Sequence, residues 1–130
     1  MIIDENLLDE VSAEAKKNER LRMNYNLHDS LDSKAQRLLN ALEVGTILPI
    51  HRHRQTAETY ILLRGKLRVM FYNEVGAESA SFRLDPLTGN YGIHIPAGQW
   101  HTLEVLDDNT VIFEVKDGPY IPLLSEDIMY

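Results

Sequence analysis

The chain contains no cysteine. That absence removes a disulfide framework, a thiolate metal site and a thiol nucleophile together, so redox-switch and cysteine-hydrolase chemistry are excluded. Long apolar runs are missing as well. No stretch approaches the ~20 residues that span a bilayer, and MIIDENLLDE has neither the basic segment nor the apolar segment of a leader. The expectation is a cytoplasmic protein without a membrane partner. Basic residues are the minority, 13 Lys and Arg against 20 Asp and Glu, and they are scattered. A net charge of −7 argues against a nucleic-acid partner, which needs clustered cations.

A chain of 130 residues with 44% apolar content is long enough to close one core. A single domain over 1–130 is expected, with a helix and strands over 1–44, a central region over 45–116 and a tail over 117–130. Asp4 is placed to cap a helix running to about Lys17, because Leu7, Leu8, Val11 and Ala15 recur at helical spacing. This helix should pack on the outside of the strands. From Arg20 the period changes to two: Leu21, Met23, Tyr25 and Leu27 share one face, and Arg20, Arg22, Asn24, Asn26 and His28 share the other. QRLLNALE reads as a strand, with a helical turn as the alternative. Beyond Gly45 strands and turns alternate: KLRVMFYN and ASFRL form a hairpin across Glu74 to Ala77, Asp85 to Gly89 is a second turn, and TVIFEV is a late strand. The prolines of DGPYIPLL make a non-helical tail. The fold class is mainly β, a small antiparallel β-barrel or double-stranded jelly roll with an N-terminal helix.

The chemistry concentrates in GTILPIHRHRQTAETYILLRG, from Gly45 to Gly65. Residues two apart on an extended segment point the same way, so His51 and His53 are able to converge on one ion while Arg52 and Arg54 face outward. Glu58 opens ETYILL after a short polar stretch, and a hairpin there would fold its carboxylate back towards the imidazoles. His101 follows the turn PAGQW, between the runs YGIHI and TLEVL. Three imidazoles and one carboxylate are a nitrogen and oxygen set suited to one divalent transition metal ion, Fe, Mn, Ni, Co, Cu or Zn. On a six-coordinate ion two positions stay open, which points to catalysis or ligand binding.

These residues give the chain its resemblance to a single-domain cupin. The first cupin motif is met by Gly45, His51, His53, Glu58 and Gly65, and the centre of the second by Pro96, Gly98 and His101. Asn90 and Val105 depart from the second motif where glycine and asparagine are usual. More narrowly, RLRMNYNLH from Arg20 to His28, QRLLNALE, PIHRHR and DGPY resemble the WbuC-type cupin metalloproteins, found among genes for bacterial surface polysaccharide synthesis. That resemblance, with the edge strands expected of the fold, implies a homodimer.

Further site candidates follow from position. His94, His28 and Tyr60 are candidate proton carriers, and His94 reads equally as a half-buried structural residue. Arg22, Asn24 and Asn26 are candidate substrate-binding residues if their face points inward, with Arg22 able to hold a carboxylate or phosphate; the alternative is a solvated edge. Tyr60 and Leu62 share the parity of Glu58 and should line the interior. Tyr120 either caps one end of the barrel or serves the pocket. Two functional classes remain: a metalloenzyme acting on a small polar molecule such as a sugar or sugar nucleotide, by isomerase, epimerase, lyase or oxygenase chemistry, and a non-catalytic binding or regulatory module with a structural metal.

Overall fold

The computed structural model describes residues 1–130. Helix α1 (Glu5–Lys17) is followed by strands β1 (Arg22–Asn26), β2 (Ala35–Leu42), β3 (Ile50–His51), β4 (Glu58–Arg64), β5 (Leu67–Tyr72), β6 (Glu78–Leu84), β7 (Gly92–Ile95), β8 (Trp100–Val105), β9 (Thr110–Asp117) and β10 (Ile128–Met129). They form two five-stranded sheets, one in the order β1-β2-β9-β4-β7 and the other β10-β3-β8-β5-β6. Every pairing is antiparallel.

The period-two pattern decides what lies between the sheets. Leu42, Tyr60, Leu62, Ile95 and Ile112 of the first sheet meet Leu67, Val69, Leu84, Leu103 and Val105 of the second in one buried cluster. Along β4 the buried residues are Glu58, Tyr60 and Leu62, and along β9 the inward row of Ile112 continues through Glu114 and Lys116. The core therefore carries polar groups at one end, and the site lies there.

Helix α1 starts where Asp4 accepts a hydrogen bond from the Leu7 amide at 3.0 Å. Its stripe of Leu8, Val11 and Ala15 packs on Leu39, Ala41 and Val111, the outer face of β2 and β9. Arg64, at a bulge ending β4, ties the helix down through Glu5 and Asp9, each at 2.8 Å. Gly65 makes that corner possible. Its φ is +94°, and a Cβ there would stand 2.1 Å from Thr110 Oγ1 and 2.7 Å from Thr110 Cα.

One expectation needs correction. His51 and Glu58 do not belong to one hairpin: β3 lies in one sheet and β4 in the other, so the segment between them crosses the gap between sheets. Both edges of β3 are taken, by β8 and β10, so it has none left for its successor. DGPYIPLL is non-helical, as its prolines imply. After an irregular stretch over 118–124, a 3₁₀ turn at Ser125–Asp127 leads into β10, which pairs with β3. Asp127 anchors it, accepting from Arg54 Nε at 2.6 Å and Arg52 Nε at 3.1 Å.

Candidate metal centre

His51 closes β3 and stands directly opposite His101 of β8, and a cross-strand pair projects both side chains to the same face. His53 lies two residues further on, and Glu58 is the first residue of β4 in the facing sheet. The turn Pro96 to Gln99 is bound to this segment, because the Gly98 amide donates to the His53 carbonyl at 2.7 Å. Gly98 holds φ +82°, the left-handed backbone that glycine adopts freely. The two sequence motifs are thus coupled through the backbone as well as through their side chains.

Each of the four residues offers a ligand atom, and these atoms lie within 4.8 Å of one another. Two ligands on opposite sides of a first-row ion stand roughly 4 Å apart, so small side-chain adjustments bring all four onto one ion. The imidazoles are aimed for it. His51 Nδ1 lies 2.9 Å from the Pro49 carbonyl and His101 Nδ1 lies 2.9 Å from the Gln99 carbonyl. A carbonyl only accepts, so each Nδ1 carries the proton and each Nε2 presents a lone pair. His101 Nε2 and Glu58 Oε1 are sealed from solvent without a hydrogen-bond partner. Glu58 Oε1 approaches His53 Nε2 to 2.6 Å and His101 Nε2 to 3.7 Å, neither with hydrogen-bond alignment. Buried acceptors left facing one another are costly unless a cation lies between them. The group is able to hold a metal ion.

Its protonation fits that role. Burial lowers the pKa of His51 from 6.5 to about 4, with His101 adding to the effect, and burial likewise lowers His101. For Glu58 burial acts upward, but His53 and His101 outweigh it and hold the carboxyl at about 2. Neutral imidazoles at His51 and His101 and an ionised carboxylate at Glu58 are in the deprotonated form that ligation needs.

A cavity of about 390 Å³ opens from this group, reaching Arg22 and Asn24 on β1. Tyr60 is buried in its wall, and burial, with Glu58 and Glu114 beside it, raises its pKa well above 10. Asn26 is exposed and lies outside the cavity. His94 is also exposed, on the outer side of β7, with Nδ1 3.0 Å from Thr59 Oγ1. Its register partner is Thr59, one residue out of phase with the inward Glu58 and Tyr60. His28 is buried at the β1–β2 connection, bound through Nδ1 to the Arg37 backbone. Neither histidine reaches the cavity. Tyr120 is exposed in a neighbouring cleft beneath the tail, its ring 5.8 Å from Lys116 Nζ.

On the strands, three polar lining residues escaped the sequence reading: Asn40 of β2, and Glu114 and Lys116 of β9. Their signal was the polar parity within apolar strands, since Asn40 shares the row of Leu42, and Glu114 and Lys116 that of Ile112. Glu114 is buried, and burial together with Glu58 raises its pKa from 4.5 to about 7. It is able to give and take a proton near neutrality.

Comparison with known proteins places this geometry in context. A family model described as a domain of unknown function, DUF6016, matches residues 3–84. The chain belongs to that family. The match takes in His51, His53 and Glu58 and ends before His101. No curated protein matches. Among solved structures the chain resembles KdgF from Halomonas sp. at TM-score 0.60 and 14% identity, covering 77% of this chain and 82% of that one. It resembles the Cnp3 cupin domain of Schizosaccharomyces pombe at TM-score 0.60 and 11% identity, covering 76% and 66%. It also resembles CapF, a capsular polysaccharide assembling protein of Staphylococcus aureus, at TM-score 0.61 and 18% identity, covering 77% of this chain and 30% of that one. The fold of this family member is the cupin fold.

Proposed function

We propose that this protein is a metal-binding cupin of the WbuC type, a metalloenzyme acting on a small polar molecule such as a sugar or sugar nucleotide of surface polysaccharide metabolism. The reaction belongs to the isomerase, epimerase, lyase or oxygenase classes. The observation that carries this reading is the convergence of four ligand atoms within 4.8 Å, two of them buried and unpartnered, beside a cavity. The polysaccharide setting draws support from the resemblance to CapF.

His51, His53, Glu58 and His101 hold one divalent transition metal ion, which when bound supplies Lewis acidity towards a carbonyl or hydroxyl oxygen. Tyr60 keeps its proton and orients a bound oxygen as a hydrogen-bond donor. Glu114, which lines the cavity, moves the proton. Leu48, Leu103 and Leu123 form the apolar side of the cavity and limit water. The protein works in the cytoplasm as a homodimer through the edge strands of its sheets.

The test is turnover of a panel of sugars and nucleotide sugars by protein carrying its native metal, read by product analysis. His51→Ala abolishes turnover with loss of metal, and Glu114→Gln lowers kcat while metal is kept. Turnover that survives His51→Ala would overturn the proposal.

A further inference from the structure

Beyond the metal ligands, the cavity has a chemistry of its own. Its charged lining consists of Arg20, Arg22 and Lys116 against Glu58 and Glu114, and Glu58 is a metal ligand. A chain of net charge −7 has therefore gathered cations into one hollow, against its overall bias. Burial lowers the pKa of Arg22, and the nearby Arg20 adds to the effect. A guanidinium keeps its charge even so. Arg22 is half-buried with the exposed Arg20 nearby, and two like charges at one cavity favour an anion that offsets them.

Two atoms specify that ligand further. Arg22 Nη1 is a sealed donor with no acceptor, and Asn40 Oδ1 is a sealed acceptor with no donor. Both residues project from the inward face of β1 and β2, where Arg22 pairs with Leu42 and Asn24 with Asn40, one diagonal apart. A simple anion satisfies the guanidinium and leaves the amide oxygen unpaired. A neutral polyol reaches both atoms but leaves the guanidinium charge without a counter-charge. An oxyanion that also carries hydroxyl groups satisfies both, and Glu114, which lines the same cavity next to Asn40, adds a further acceptor for a hydroxyl.

Size and lining favour a ligand smaller than a nucleotide. At about 390 Å³ the cavity lies near the lower end of the ~300–1,000 Å³ typical of small-molecule sites. Its one aromatic residue, Tyr60, is only 4% exposed and presents no free ring face for a base to stack on.

We infer that the cavity binds a monosaccharide-sized acidic polyol, with its oxyanion on Arg22 and a hydroxyl donated to Asn40. This rests on the metal-site reading above and narrows it, setting sugar acids or sugar phosphates in place of nucleotide sugars.

The test is calorimetric titration of the protein carrying its native metal, with metal content measured on the same samples. The probes are D-gluconate, D-glucose 6-phosphate, UDP-glucose and sorbitol, which matches gluconate without the carboxylate. At least one acidic sugar binds tenfold or more tighter than sorbitol, and the tighter of the two tells a carboxylate from a phosphate. Arg22→Gln brings that probe to the level of sorbitol with metal content unchanged, Arg22→Lys falls between, and UDP-glucose binds more weakly than the acidic sugar. The inference is overturned if neither acidic sugar binds the metal-loaded protein, if sorbitol binds equally, if UDP-glucose binds tighter, or if Arg22→Gln changes nothing. Absence of metal from the wild-type protein, with acidic-sugar binding still sensitive to Arg22, instead contradicts the metal reading and leaves the anion site standing.

Discussion

His51 and His101 face each other across β3 and β8 with ring centroids 4.4 Å apart, and each donates its Nδ1 proton to a backbone carbonyl two residues earlier. The shared offset sets both rings with Nε2 bare and inward. In metal-free protein at pH 7, nitrogen NMR of the imidazoles is expected to show both in the Nδ1–H tautomer. Rapid exchange between tautomers at either ring would contradict this arrangement.

Gly65 and Gly89 share nearly the same backbone, φ +94° and φ +86°, but differ in surroundings. A Cβ at Gly89 meets nothing within 4 Å, whereas at Gly65 it runs into the Thr110 backbone. Gly89→Ala should cost about 1 kcal/mol from left-handed backbone strain alone. Gly65→Ala should cost at least ~3 kcal/mol, since β4 and β9 must separate. Urea unfolding of the two variants measures the difference, and equal costs would show that the corner is looser than described.

Opposed pKa shifts give the metal-free protein a pH profile with two limbs. His51, lowered to about 4, binds fewer protons folded than unfolded between pH 4 and 6.5, so stability is lost as pH falls through that window. Glu114, raised to about 7, binds more protons folded than unfolded between pH 4.5 and 7, so its contribution is lost as pH rises. Glu114→Gln fixes the neutral form. Relative to wild type its stability should grow from pH 4.5 to 8, by an amount on the order of a few kcal/mol. Denaturant unfolding in chelator across that range checks it, and a pH-independent difference would place the Glu114 carboxyl in water.

Asp127 holds the tail against both Arg52 and Arg54, and Arg52 also lies 4.5 Å over the Trp100 ring. Asp127→Asn should release β10 from β3, raising amide exchange over 118–130 and changing tryptophan fluorescence, with exchange in β4 and β9 unaltered. Unchanged exchange in the tail would mean that backbone pairing alone secures it.

How much of this was legible in the sequence depends on whether spacing or topology carries the information. His51, His53, Glu58 and His101 could be read because two short motifs state them, and α1 because Asp4 and the stripe of Leu8, Val11 and Ala15 mark it. The inward parity of Arg22 and Asn24 was also visible, though not which way that face turned. Sheet membership was not. Nothing between Arg52 and Ala57 distinguishes a hairpin from a crossing, and the choice is made by partners far away, His101 for β3 and Lys116 for Glu58. Asn40 and Glu114 were hidden for a related reason: a single polar residue in an apolar strand gains meaning only when the strands beside it place a metal group at the same end.

The most direct test is metal content per chain after purification and exhaustive dialysis, measured by inductively coupled plasma mass spectrometry for wild type and for His101→Ala. About one equivalent of a divalent transition metal in the wild type is expected, with loss of most of it in the variant. A folded wild-type protein that retains no metal and takes up none of Fe(II), Mn(II), Ni(II), Co(II), Cu(II) or Zn(II) would contradict the metal centre itself.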